Sequence, residues 1–195
     1  MIRRGSIAGS GRQSPALGNG VGAVSHTLLV VMDQNAFWAL IGMLGRNPDD
    51  DDFTRLTDLL ATRSAEDITR FADLLAHALY ALDTPAHVEA VRPLIVGDDS
   101  FLYARCAAVA AGRRTYEKVA GKPESLERFA DRDAELLLTV APEAFERATG
   151  MLWDHETPVS YEMGSNHSAR GGSPCADPAN DASLVADHGL RLGSR

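Results

Sequence analysis

Asp98-Asp99-Ser100-Phe101-Leu102-Tyr103-Ala104-Arg105-Cys106-Ala107-Ala108-Val109-Ala110-Ala111 is the stretch whose reading decides the fold class. Ser100 carries a helix-capping side chain, and the two aspartates before it complement a positive helix end. From Phe101 to Ala111 nearly every position is apolar or small, the pattern of a helix covered on all sides. The spacing predicts a helix that continues to about Val119, with Gly121 and Pro123 as breakers. Arg105 interrupts the apolar run. At helical spacing its neighbours are Phe101, Leu102, Ala108 and Val109, which places its guanidinium in or beside the core. A charge there needs a carboxylate or backbone carbonyls. Asp33, Asp73 and Glu135 are the carboxylates expected to supply that partner.

Working outward, the segments on either side repeat the helical period. Asp33 can cap a first helix that buries Phe37, Trp38, Leu40, Ile41 and Leu44 and stops at Gly45. A second helix, about Asp52 to Thr62, buries Phe53, Leu56, Leu59 and Leu60. The run Asp49 to Asp52 lacks the alternating ligands, turn glycine and distal Glu of a calcium loop, so it reads as charge at a helix start. Ser64 and Asp67 resemble a capping box ahead of the longest helix, with Ile68, Phe71, Leu74, Leu75, Ala78, Leu79 and Leu82 on one face. Thr84-Pro85 opens a short helix with His87, Val88 and Val91. Ser125 to Val140 is predicted helical, and Pro142 restarts a turn or two as far as Gly150. No segment alternates like a strand over more than a few residues. The expectation is an all-α, compact single-domain bundle of about six or seven helices. Met151, Leu152, Trp153, Tyr161 and Met163 then form an irregular C-terminal strap.

Both ends differ in composition. Residues 1–31 are rich in Gly, Ser, Asn and Ala, and Thr27-Leu28-Leu29-Val30-Val31 is too short for a signal peptide or a bilayer span. Met32 precedes a good helix start, so residues 1–31 are read as a disordered extension from an upstream start assignment. Residues 32–163 are read as the helical domain and 164–195 as a disordered tail.

The net charge of −8 is concentrated in the domain. From Met32 to Met163 there are 13 Lys and Arg against 24 Asp and Glu, a balance of −11. An acidic domain without a basic stripe argues against a nucleic-acid surface. Cys106 lies on the apolar helix and Cys175 in the tail, a poor disulfide pair that fits a reducing compartment.

Two motifs carry a family resemblance. Asp33-Gln34-Asn35-Ala36-Phe37-Trp38-Ala39-Leu40-Ile41 is similar to the opening of the bacterial DUF4240 family, an aspartate followed by Phe-Trp. Asp98-Asp99-Ser100-Phe101-Leu102-Tyr103-Ala104-Arg105 resembles its main signature, continued by Gly112, Tyr116 and Pro123. The chain departs from the family at Ala104, where a bulkier residue is usual, and near Ala107, where a tryptophan is frequent. No function is established for that family, so the resemblance implies no catalytic residue.

The residues themselves offer limited chemistry. His26, His77, His87, His155, His167 and His188 have no zinc-helix spacing, and in Asp154-His155-Glu156 the donors are too close along the chain to chelate one ion. No metal and no cofactor is expected. Cys106 sits among alanines and valine, a setting that leaves a thiol inert. The candidate ligand-binding set is Asp98, Asp99, Tyr103, Arg105, Tyr116 and Glu117. The expected function is a non-catalytic protein-interaction or regulatory module in the cytoplasm, with another protein as partner and neither nucleic acid nor membrane. The alternative is an enzyme or small-anion binder built around Arg105 and Tyr103, with Arg105 gripping the anion bidentately.

Overall fold

Helix ends in this chain are set by short-range caps, and these position everything else. The computed structural model describes residues 32–94, 97–167 and 169. Asp33 accepts the Ala36 amide at 2.8 Å and starts α1, Gln34–Ile41, which a 3-10 turn, Gly42–Leu44, extends. Asp49 and Asp52 bond each other's amides at 3.0 Å as a capping box for α2, Asp50–Leu60, so the aspartate run is a helix start. Ser64 caps α3, Ala65–Ala81, but the expected box is only half formed. Asp67 turns its buried carboxylate instead to the Met32 amide at 2.9 Å. Thr84 caps α4, Pro85–Val91, with proline in the first turn.

The central helix is shorter than its sequence predicts. α5 spans Asp98–Ala110 with Gly97 at its N-cap, so Ser100 lies inside the first turn and the aspartates begin the helix. It stops because Gly112 takes φ +91°, a left-handed conformation that breaks the hydrogen-bond ladder. The chain then restarts as α6, Arg113–Gly121. The segment from residue 123 on also differs from the single helix predicted over Ser125 to Val140. It forms two 3-10 segments, Pro123–Phe129 and Glu135–Leu138, while the regular α7 runs Val140–Thr149 with Pro142 tolerated in its first turn.

Among the described residues the architecture is therefore all-α, with seven α-helices, three 3-10 segments and no strand. α7 packs on α2 and α3, α4 on Pro123–Phe129, and α5 lies between α3, α6 and the two later 3-10 segments. Phe101, Leu102, Ala104, Cys106, Ala107, Ala108, Val109 and Ala110 are all buried, which is why α5 has no polar stripe. No helix among the described residues is long and apolar enough to cross a membrane.

After Gly150 the chain runs back over the helices without regular structure. Trp153 meets Phe145 edge to face at 5.3 Å, and Tyr161 and Met163 pack on the core. The docked strap extends beyond the expected boundary at residue 163, because Gly164, Ser165 and Asn166 bind Asp83. The expected extension 1–31 lies outside the described residues, as does the expected tail from residue 168 on, apart from Ala169.

Candidate functional site

Arg105 is fully buried and its partners are carbonyls, not the three expected carboxylates. One terminal nitrogen donates to the Leu79 carbonyl at 3.1 Å and the other to the Tyr161 carbonyl at 2.8 Å. The Leu79 carbonyl belongs to the last turn of α3, where it also accepts the Leu82 cap amide at 3.1 Å and where a cation is favoured. The Phe101 ring centroid lies 4.5 Å from the guanidinium carbon. Nε has no hydrogen-bond partner among the described residues. Burial pulls the guanidinium below its ordinary range, and Asp83 is the strongest influence raising it again.

Asp83 is the second half of this arrangement, and the sequence reading passed over it. It is fully buried just beyond α3. Its Oδ1 accepts the Gly164 amide at 3.1 Å, and Oδ2 accepts the Asn166 amide at 2.9 Å and the Ser165 hydroxyl at 3.3 Å. Asn166 in turn donates its side-chain amide to the Tyr80 carbonyl at 3.0 Å. Arg105 and Asp83 thus fasten the strap, residues 161–166, to the C-terminal end of α3. The expected carboxylates are engaged elsewhere: Asp33 in the α1 cap, Asp73 with His155 Nε2 at 2.7 Å, and Glu135 beside Tyr103.

The remaining candidates do not gather around Arg105. Asp98 is the first residue of α5, and its side chain lies outside the described residues. Asp99 is exposed at the same end. Tyr103 is half-buried, and hydrogen bonding to the Glu135 carboxylate pushes its phenol up to about 12, too high for acid–base work near neutral pH. Tyr116 stacks on Trp38 with centroids 4.9 Å apart, and burial raises its hydroxyl. Glu117 is exposed and pairs with Arg113 at 2.8 Å. Cys106 is fully buried, and burial pushes its thiol up to about 12, as its apolar surroundings predict. No group of three or more His, Cys, Asp or Glu among the described residues could hold a metal ion.

Four residues of the two family motifs have structural roles. Asp33 caps α1, Phe37 packs against Phe71 at 5.1 Å, Trp38 meets Tyr116, and Arg105 closes the strap. The model of the family described as "Protein of unknown function (DUF4240)" matches residues 32–147. The chain belongs to the DUF4240 family. The matched span of this DUF4240 domain reaches into α7 and ends before the strap that Arg105 and Asp83 hold. Comparison with curated proteins and with solved structures gives no match.

Proposed function

We propose that this DUF4240 domain is a non-catalytic protein-interaction or regulatory module of the cytoplasm, with another protein as its partner. The observation that supports this reading is the position of Arg105. Its guanidinium is covered and bound to two main-chain carbonyls, so the residue with the strongest chemical signal in the sequence serves the fold. A small-anion or substrate site centred on Arg105 and Tyr103 has no such support. The ordered strap meanwhile presents Met151 and Leu152, 59% and 83% exposed, as adjacent large apolar side chains next to a docked tryptophan. Such a pair suits contact with an apolar patch on a partner.

A photo-crosslinking residue placed at Leu152 in the full chain, inside its own cells, tests this. The expected result is a discrete adduct with a second protein, lost when Met151 is also changed to Asp. Recovery of uncrosslinked chain alone, with the fold intact by circular dichroism, would contradict the reading.

A further inference from the structure

Although the domain is acidic, its arginines are unevenly compensated. Arg55, Arg70, Arg92, Arg113 and Arg147 each reach a carboxylate. Arg46, Arg128 and Arg132 enter no ion pair among the described residues, and all three line one groove of about 470 Å³. The other lining residues are Asn47, Ala111, Thr115 and Phe129, so none is acidic. The groove's own lining thus holds three guanidiniums and no carboxylate, while Asp133, Asp131, Glu127 and Glu124 line the adjoining cavities that share Arg46, Arg128 and Arg132.

Two of the three arms are held in place. Phe129 is 2% exposed, and its ring lies 4.7 Å from the Arg128 guanidinium carbon and 5.3 Å from that of Arg132. Arg132 also donates to the Asn47 side-chain oxygen at 2.5 Å. Stacking on Phe129 accounts for the packing of Arg128 and Arg132, whereas Arg46, which arrives from the loop before α2, has no hydrogen bond, ion pair or ring contact among the described residues. Ala111, the residue just past the end of α5, contributes only a small side chain to the lining. α5 ends and α6 begins at this edge, so their helix dipoles oppose. Each amounts to about half a charge, and three full charges outweigh them.

We propose that the groove bounded by Arg46, Arg128 and Arg132 binds the phosphate group of a phosphate monoester. Guanidinium forks match phosphate oxygens, and a monoester offers three free oxygens and close to two charges to three arms. A lone carboxylate, with two oxygens and one charge, would leave an arm unmatched. Thr115 and Asn47 line the same groove and add polar side chains to the three guanidiniums. The same chemistry could come from a free phosphorylated metabolite or from a phosphorylated side chain. The site involves neither Arg105 nor the strap, so it stands independently of the interaction reading.

The test is a titration of the full-length, ¹⁵N-labelled chain with inorganic phosphate, phenyl phosphate and a phosphoserine peptide with neutral flanks. Ionic strength is held constant, and acetate serves as the control anion. Saturable shifts are expected at the Arg46, Arg128 and Arg132 Nε–H and the Thr115 amide, stronger as pH rises through about 6, where the monoester gains its second charge. Arg46→Gln, which removes an arm without touching Phe129, should weaken binding about tenfold or more, the loss of one charge-assisted hydrogen bond. Arg114→Gln is the control, because Arg114 is exposed and enters no ion pair among the described residues, but does not line the groove. Equal affinity for phenyl phosphate and peptide identifies a small-molecule source, and a tighter peptide identifies a phosphoprotein. Shifts no larger than with acetate, or equal weakening by Arg46→Gln and Arg114→Gln, would overturn the proposal.

Discussion

Arg105→Ala is the perturbation with the largest calculable consequence. The Tyr161 carbonyl would lose its donor, at a cost of about 1 kcal/mol for a part-buried acceptor. The Leu79 carbonyl suffers less, because it keeps the Leu82 amide at 3.1 Å. Loss of the desolvated contact with the Phe101 ring removes about 2 kcal/mol more, and a void opens in a fully covered site. Against these stands relief, since the alanine variant no longer buries a cation whose Nε lacks a partner. The net is about 3–5 kcal/mol, the scale on which truncating a large buried side chain and leaving a void destabilises a protein. With about 5–15 kcal/mol of total stability, most of the margin goes, and the melting temperature should fall by about 10–20 °C. The loss should also be local at first: hydrogen exchange should rise in peptides covering residues 158–167 before α2 or α7. Arg105→Lys should recover part of the loss, because an ammonium can reach one carbonyl but not both in a planar fork. An alanine variant melting within about 2 °C of the parent, with its strap still protected, would refute the reasoning.

Other perturbations give sharper local readouts. Asp83→Asn should cost about 1–3 kcal/mol and speed amide exchange at Gly164 and Asn166 by tenfold or more, measured by NMR, with the α1 amides unchanged. His87 is buried, its Nε2–H donating to the Val119 carbonyl at 3.1 Å and its Nδ1 accepting from the Thr84 hydroxyl at 2.7 Å; burial lowers its folded pKa below the ordinary 6.5. The unfolded chain therefore binds the proton more readily, so this contribution is complete above about pH 6.5 and is lost as pH falls below it. Thermal melts from pH 5.5 to 7.5 should show that slope, and His87→Gln should flatten it. Gly112→Ala meets open space but must hold φ near +91° with ψ near 164°, a region essentially confined to glycine, so calorimetry should show a loss of about 1–3 kcal/mol from backbone strain alone.

Local chemistry made much of the fold readable. The caps at Asp33, Asp49, Ser64 and Thr84 act over three residues, and the all-round apolar character of Phe101–Ala110 needs no knowledge of what covers it. The break at Gly112 was harder, because Arg113, Arg114 and the residues after them are sound helix formers and the break is one backbone angle. Residues 123–138 carry apolar spacing that suits either an α-helix or tight 3-10 turns. Arg105 was identifiable as a buried cation, but its partner was not. Every residue has a carbonyl, so the Tyr161 oxygen, 56 positions away, leaves no trace in side-chain identity. Asp83 was hidden beside the Thr84-Pro85 cap. The grouping of Arg46 with Arg128 and Arg132 depends on how the loop before α2 meets the 3-10 segment, a contact spanning 85 positions at Asn47 and Arg132.

The measurement that bears most directly on the central claim, that Arg105 fastens the strap and grips no ligand, is NMR of its guanidinium protons in the full-length chain. The account predicts separate, slowly exchanging Nη–H signals with cross-peaks to Tyr161 and Leu79 neighbours, unmoved by added phosphate, phenyl phosphate or acetate. Fast-exchanging Arg105 protons that shift on addition of an anion would contradict it.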